Sequence, residues 1–171
     1  MVRTHLDFAA PVHSPFRAAD IDHLESVQRR ATKQLPGFGN LSYPERLRKL
    51  KLPTLAYRRV RGDMIELFKA LRGTYNPEAV NFIPLWNDRA NRHSNRTNSL
   101  KIFPLHANNS VRKNSFIIRS APIWNSLPET VVNAPTINTF KNRLDNHWTN
   151  RDLLYDNHRA SIRDAESASE A

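Results

Sequence analysis

SYPERLRKLKLPTLAYRRVRGDMIELFKALRG, residues 42–73, reads as two successive helices. Ser42 with Glu45 three residues on is a capping box. Pro44 sits in the first turn, where a missing N–H costs nothing. A short helix to about Leu50 follows. Pro53 and Thr54 then open the longest helix of the chain, running to Arg72, with Gly73 as its C-terminal cap. Its apolar stripe is Tyr57, Val60, Met64, Leu67, Phe68 and Leu71.

Outward from this stretch the pattern stays helical. On the N-terminal side, Asp20 can cap a helix to about Leu35 with Ile21, Leu24, Val27, Ala31 and Leu35 at helical spacing. Pro36, Gly37 and Gly39 end it. On the C-terminal side, residues 74–99 are polar and rich in Asn and Arg. Leu100–Leu105 has the length of a short strand, and Phe116-Ile117-Ile118 reads either as strand or as the start of a helix reaching Leu127. Pro122 would kink that helix or start a new one. Pro135 and Thr136 open a last helix with the stripe Ile137, Phe140, Leu144 and Trp148. Trp124 and Trp148 are therefore expected in one core, and Trp86 outside it. The expectation is a mainly α, small helical domain with at most one short β-strand pair. It divides into an extended lead-in (1–19), a basic helical region (20–73), a polar loop (74–99), a C-terminal helical region (100–150) and a frayed tail (151–171).

Composition narrows the function classes. The 171 residues are 39% hydrophobic, and the mean hydropathy is −0.63. No apolar run approaches the roughly 18 residues of a membrane-spanning helix, and the first residues, with Arg3, His5 and Asp7, lack the apolar stretch of a secretory signal. Cysteine is absent, which excludes disulfides, thiolate metal sites and cysteine nucleophiles and suits an intracellular chain. Four glycines leave no Gly-rich phosphate loop. The net charge of +10 and pI near 10.5 point to a polyanion, nucleic acid first and an anionic membrane surface second.

The charge is segregated. Residues 29–72 hold 12 basic and 3 acidic side chains, and residues 89–119 hold 7 basic and none acidic. Helical angles sort the cations further. On the first helix Arg29, Arg30 and Lys33 lie opposite the apolar set. Glu25, four residues before Arg29, can occupy that arginine and leave Arg30 and Lys33 available. On the long helix Arg58, Arg61, Lys69 and Arg72 fall within about 80°, while Arg59, Asp63 and Glu66 share another side and can neutralise one another. Arg112 and Lys113 represent the second segment. Several cations along one surface are what phosphate binding requires, because each neutralised phosphate releases counterions. Gly62 lies mid-helix on the basic side, either to let another backbone approach or as a tolerated cost.

Catalytic chemistry is missing. Two-metal polymerase or nuclease chemistry needs clustered carboxylates, which the second basic segment lacks. The seven histidines show no zinc-ligand spacing. The expectation is therefore no active site, no metal and no cofactor.

Two long segments resemble a known family. HLDFAAPVHSPFRAADIDHLESVQRRATKQLPGFGNLSYPERLRKLKLPTLAYRRVRGDMIELFKALRG (5–73) is similar to the stretch following the polymerase palm in non-LTR retrotransposon reverse transcriptases. RKNSFIIRSAPIWNSLPETVVNAPTINTFKNRLDNHW (112–148) resembles the end of the same reading frames, through Ile123-Trp124-Asn125-Ser126-Leu127-Pro128 and through Phe140-Lys141 to Leu144-Asp145. Such enzymes copy element RNA into DNA with palm carboxylates of a Tyr-x-Asp-Asp motif, and this chain has no adjacent Asp pair. The resemblance thus implies a non-catalytic, C-terminal, post-palm portion with no polymerase activity alone. Its partners would be RNA or DNA, bound electrostatically and without sequence preference, together with the palm and fingers of the parent polymerase. Its location would be intracellular and nuclear. The alternatives are an inactive truncated relic and a helical protein-interaction module.

Overall fold

In the computed structural model, described for residues 11, 12, 14–76, 83–86, 100–149, 154 and 155, the chain is mainly helical. The helices are α1 (Ala18–Lys33), α2 (Tyr43–Leu50), α3 (Leu55–Leu71), α4 (Ser110–Lys113), α5 (Phe116–Asn125), α6 (Glu129–Val132) and α7 (Ile137–Trp148). Among the described residues the only strand-like pairing is one antiparallel bridge, Leu85 with Ile102. The strand expected over Leu100–Leu105 is thus a single bridge. The lead-in at 1–10, most of the 74–99 loop and nearly all of the 151–171 tail lie outside the described residues. The chain forms two compact units, residues 1–62 with 149–171, and residues 63–148. Their boundary falls inside α3.

Local signals set the helix ends. Ser42 and Glu45 form the capping box at α2, with the Ser42 N–H donating to Glu45 over 2.8 Å. Thr54 and Thr136 each follow a proline and cap a helix. Their hydroxyl oxygens accept from the N–H of Tyr57 and Thr139 respectively, each at 3.2 Å. Past α3, Gly73 takes φ +72, and Thr74 N–H returns to the Lys69 carbonyl over 3.0 Å. The α1 start differs from the Asp20 expectation: the helix begins at Ala18 with Arg17 as its N-cap. Phe116-Ile117-Ile118 is helix, and α5 runs through the exposed Pro122.

In the first unit, α1 packs on α2 with a polar face inward. Glu25, Gln28 and Thr32 are buried, while Val27 and Leu35 are 37% and 41% exposed. The expected apolar stripe is thus turned partly to the surface. The reason is hydrogen bonding. The Glu25 carboxylate accepts from the Tyr43 hydroxyl and from the Leu55 N–H (2.9 Å), so it caps α3 from a neighbouring helix. Gln28 donates to the Tyr43 hydroxyl (3.1 Å) and to the Pro53 carbonyl (3.2 Å). Thr54 N–H reaches the Leu154 carbonyl at 3.1 Å, tying a C-terminal residue to this unit.

The second unit has an aromatic core. Phe68 stacks on Phe140 at 4.3 Å between centroids, and Trp124 lies 5.9 Å from Phe140. Trp124 and Trp148 are 1% and 2% exposed, and Trp86 is 39% exposed against the edge of Phe103. The Trp124 indole N–H donates to the Leu100 carbonyl (2.9 Å). Asn125 pairs with both backbone groups of Ile102, accepting at 3.0 Å and donating at 2.8 Å. One dipeptide thus fastens residues 100–102 to α5.

Candidate nucleic-acid interface

The eight candidate cations divide between the units. Arg30, Lys33, Arg58 and Arg61 belong to the first, and Lys69, Arg72, Arg112 and Lys113 to the second. Arg30 and Lys33 are exposed in the last turn of α1, where positive charge also complements the helix dipole. Arg112 and Lys113 are exposed on α4, whose first turn is capped by Asn109 accepting from Val111 N–H at 2.9 Å.

The α3 stripe is not uniformly available. Arg58 and Arg61 are half-buried and engaged within the chain. Lys69, expected to be available, pairs with Glu66 at 2.7 Å, and this bond raises the lysine's pKa. Glu66 also accepts from Tyr75. Arg72 is exposed, but it donates to the Val132 carbonyl at 3.3 Å and lies over Phe68. The group of Arg59, Asp63 and Glu66 takes in a further cation. Arg59 is 7% exposed, and the Asp63 carboxylate takes Arg119 on both oxygens, at 3.0 and 3.1 Å. Arg119 comes from the acid-free segment 89–119, so part of that segment's charge is core structure, not surface.

Sequence reasoning missed a cationic cluster in the first unit. Tyr43 is anchored by Glu25 and Gln28. Burial first, then the Glu25 hydrogen bond and charge, push its phenol far above the ordinary 10.0. The Arg29 and Arg46 guanidinium carbons lie 5.3 and 5.7 Å from its ring centroid. Arg48 lies over Tyr155 and Lys49 over Phe38. The signal available in sequence was the i, i+3 spacing of Tyr43 and Arg46 on α2. The described part of this unit carries 11 basic and 4 acidic side chains, against 8 and 4 in the other. The electrostatic weight therefore rests on α1, α2 and the start of α3.

Among the described residues no cluster of three or more His, Asp or Glu side chains could hold a metal ion, and no helix is long and apolar enough to cross a membrane. No family model, curated protein or solved structure matches the chain.

Proposed function

We propose that the chain is a non-catalytic, post-palm portion of a retrotransposon-type reverse transcriptase that binds RNA or DNA through backbone phosphates. The observation that carries the binding part is the concentration of cations on the first unit: exposed Arg29, Arg30 and Lys33 on α1 and Arg48, Lys49 and Lys51 on or beside α2. These are spaced along two packed helices, as a phosphate track requires. The polymerase context rests on the sequence resemblance of residues 5–73 and 112–148. Recognition is then sequence-blind, because phosphate contacts carry no base information.

Binding to poly(U) and to mixed-sequence duplex DNA across a salt series tests the reading. With about four duplex phosphates neutralised, log K falls with log salt at a slope of about −3.6. Replacing Arg30 and Lys33 together by Gln lowers the slope magnitude by about 2. No binding at low salt would end the proposal and favour the relic. A second reading, a protein-interaction module, has its own observation. Phe16, Val27 and Leu35 are 46%, 37% and 41% exposed in the first unit.

A further inference from the structure

Arg46 is 4% exposed, yet no carboxylate pairs with it among the described residues, and its Nε has no hydrogen-bond partner. Buried charges are ordinarily paired, and a buried donor without an acceptor calls for a specific explanation. Glu25, the buried acid among the described residues of this unit, gives none, because it is taken by the Tyr43 hydroxyl and the Leu55 N–H. What holds Arg46 is the Tyr43 ring, and that ring is itself fixed by two hydrogen bonds. Arg29 approaches the same ring from α1. Two guanidinium carbons therefore lie 5.3 and 5.7 Å from one ring that two hydrogen bonds hold, and the Arg46 Nε–H is left without an acceptor.

We propose that Arg46, with Arg29, is a preorganised phosphate-binding site that grips one phosphodiester of the bound nucleic acid. The inference rests on the nucleic-acid reading and deepens it by naming the residues and the group they take. A guanidinium presents its donors in a planar fork that matches two phosphate oxygens. Side chains fixed beforehand lose little entropy on binding. The favoured ligand is a polyanion because the unit around the site is strongly basic. Arg30, Lys33, Arg48 and Lys49 then extend the track on either side, whereas the Arg46 contact is the one that depends on geometry.

The test compares Arg46→Lys and Arg46→Gln with the wild-type chain, all checked for helix content by circular dichroism. Arg46→Lys keeps the charge and loses the fork, so affinity for poly(U) and duplex DNA falls about tenfold with the salt slope unchanged. Arg46→Gln also lowers the duplex slope by about 0.9. A measurement on the wild-type chain guards against variants that fail to fold: the Arg46 Nε–H resonance, assigned by its loss in Arg46→Lys or by through-bond correlation, shifts on titration with inorganic phosphate. Wild-type binding with an unchanged Arg46→Lys affinity, or an Nε–H that ignores phosphate, overturns the site and leaves the nucleic-acid reading standing. No wild-type binding overturns both. Binding of poly-glutamate but neither nucleic acid, lost in Arg46→Lys, would assign the site to an acidic protein instead.

Discussion

Among the described residues of the first unit the buried side chains are Glu25, Gln28, Thr32, Arg46, Thr54 and Arg59, against Leu47, Leu55 and Tyr57 on the apolar side. In the second, Asp63, Arg119 and Ser120 are set among 17 buried apolar residues. Burying apolar surface stabilises in proportion to area and tolerates imperfect geometry. A buried polar network stabilises only when every member is satisfied. The second unit is therefore built for stability. The first gives up part of that stability to hold a fixed charged cluster. The difference matches the division of candidate function, since the polar-cored unit carries the greater cationic excess.

The largest expected effect breaks the second unit. Trp124→Ala removes an indole in contact with Phe140 together with its bond to Leu100, and costs about 3–5 kcal/mol in urea unfolding. Arg119→Ala falls in the same range, because it removes the bidentate partner of the buried Asp63 carboxylate. The double variant Asp63→Leu/Arg119→Met recovers most of that loss if the pair is only a local compensation. All three tryptophans lie in the second unit, so their fluorescence reports on it alone. An effect below about 1 kcal/mol for Trp124→Ala would contradict the apolar-core assignment.

Glu25→Ala is the matching break in the first unit. Tyr43 keeps its bond from Gln28, so the loss falls mainly on the Leu55 N–H at the start of α3 and amounts to about 1–3 kcal/mol. The helix signal should melt earlier while the tryptophan signal moves less. Equal shifts of both signals would show one cooperative structure and remove the basis for treating the units separately.

Base sharpens the same contrast. Tyr43 is raised in the folded chain, so the unfolded chain releases that proton first, near the ordinary pKa of 10.0. The stabilisation is complete below that pH and is lost as pH rises beyond it. Urea midpoints followed by helix signal should therefore fall above about pH 10, and Tyr43→Phe should lessen the fall. An identical alkaline profile for Tyr43→Phe would place the titrating group elsewhere.

What the sequence made legible were the local features. The capping box at Ser42, the two Pro-Thr helix starts, the Gly73 cap and the stripe Phe140, Leu144, Trp148 all depend on neighbours within one or two turns. What it hid depends on distant partners. Glu25 reads from its spacing as the partner of Arg29, whereas the hydrogen bonds that bury it come from residues 18 and 30 positions away. Arg119 looked like surface charge because Asp63 is 56 residues away. Asn125 stands in the sequence only as part of the Ile123–Pro128 motif, and its amide pairs with Ile102, 23 residues away, in the way a strand neighbour would. The candidate site was legible only as two exposed pairs, Arg30 with Lys33 and Arg112 with Lys113. The Tyr43 platform was not, because aromatic spacing alone does not distinguish a core ring from one that carries cations.

Gly62 gives the smallest and sharpest test, since it ends the first unit in the middle of α3. A close approach by another backbone was one of the two explanations for it. Among the described residues no backbone makes that approach: a Cβ built at Gly62 meets nothing within 4 Å, and no positive φ holds the residue to glycine. Gly62→Ala should therefore stabilise by about 0.5–1 kcal/mol, because alanine loses less backbone entropy on entering a helix. The gain should appear in urea midpoints, with nucleic-acid affinity unchanged. If stability falls instead, α3 is under a constraint at residue 62 that open space around its Cα does not reveal. If stability rises and affinity drops, glycine at this position serves binding, and the cost of a mid-helix glycine is then functional.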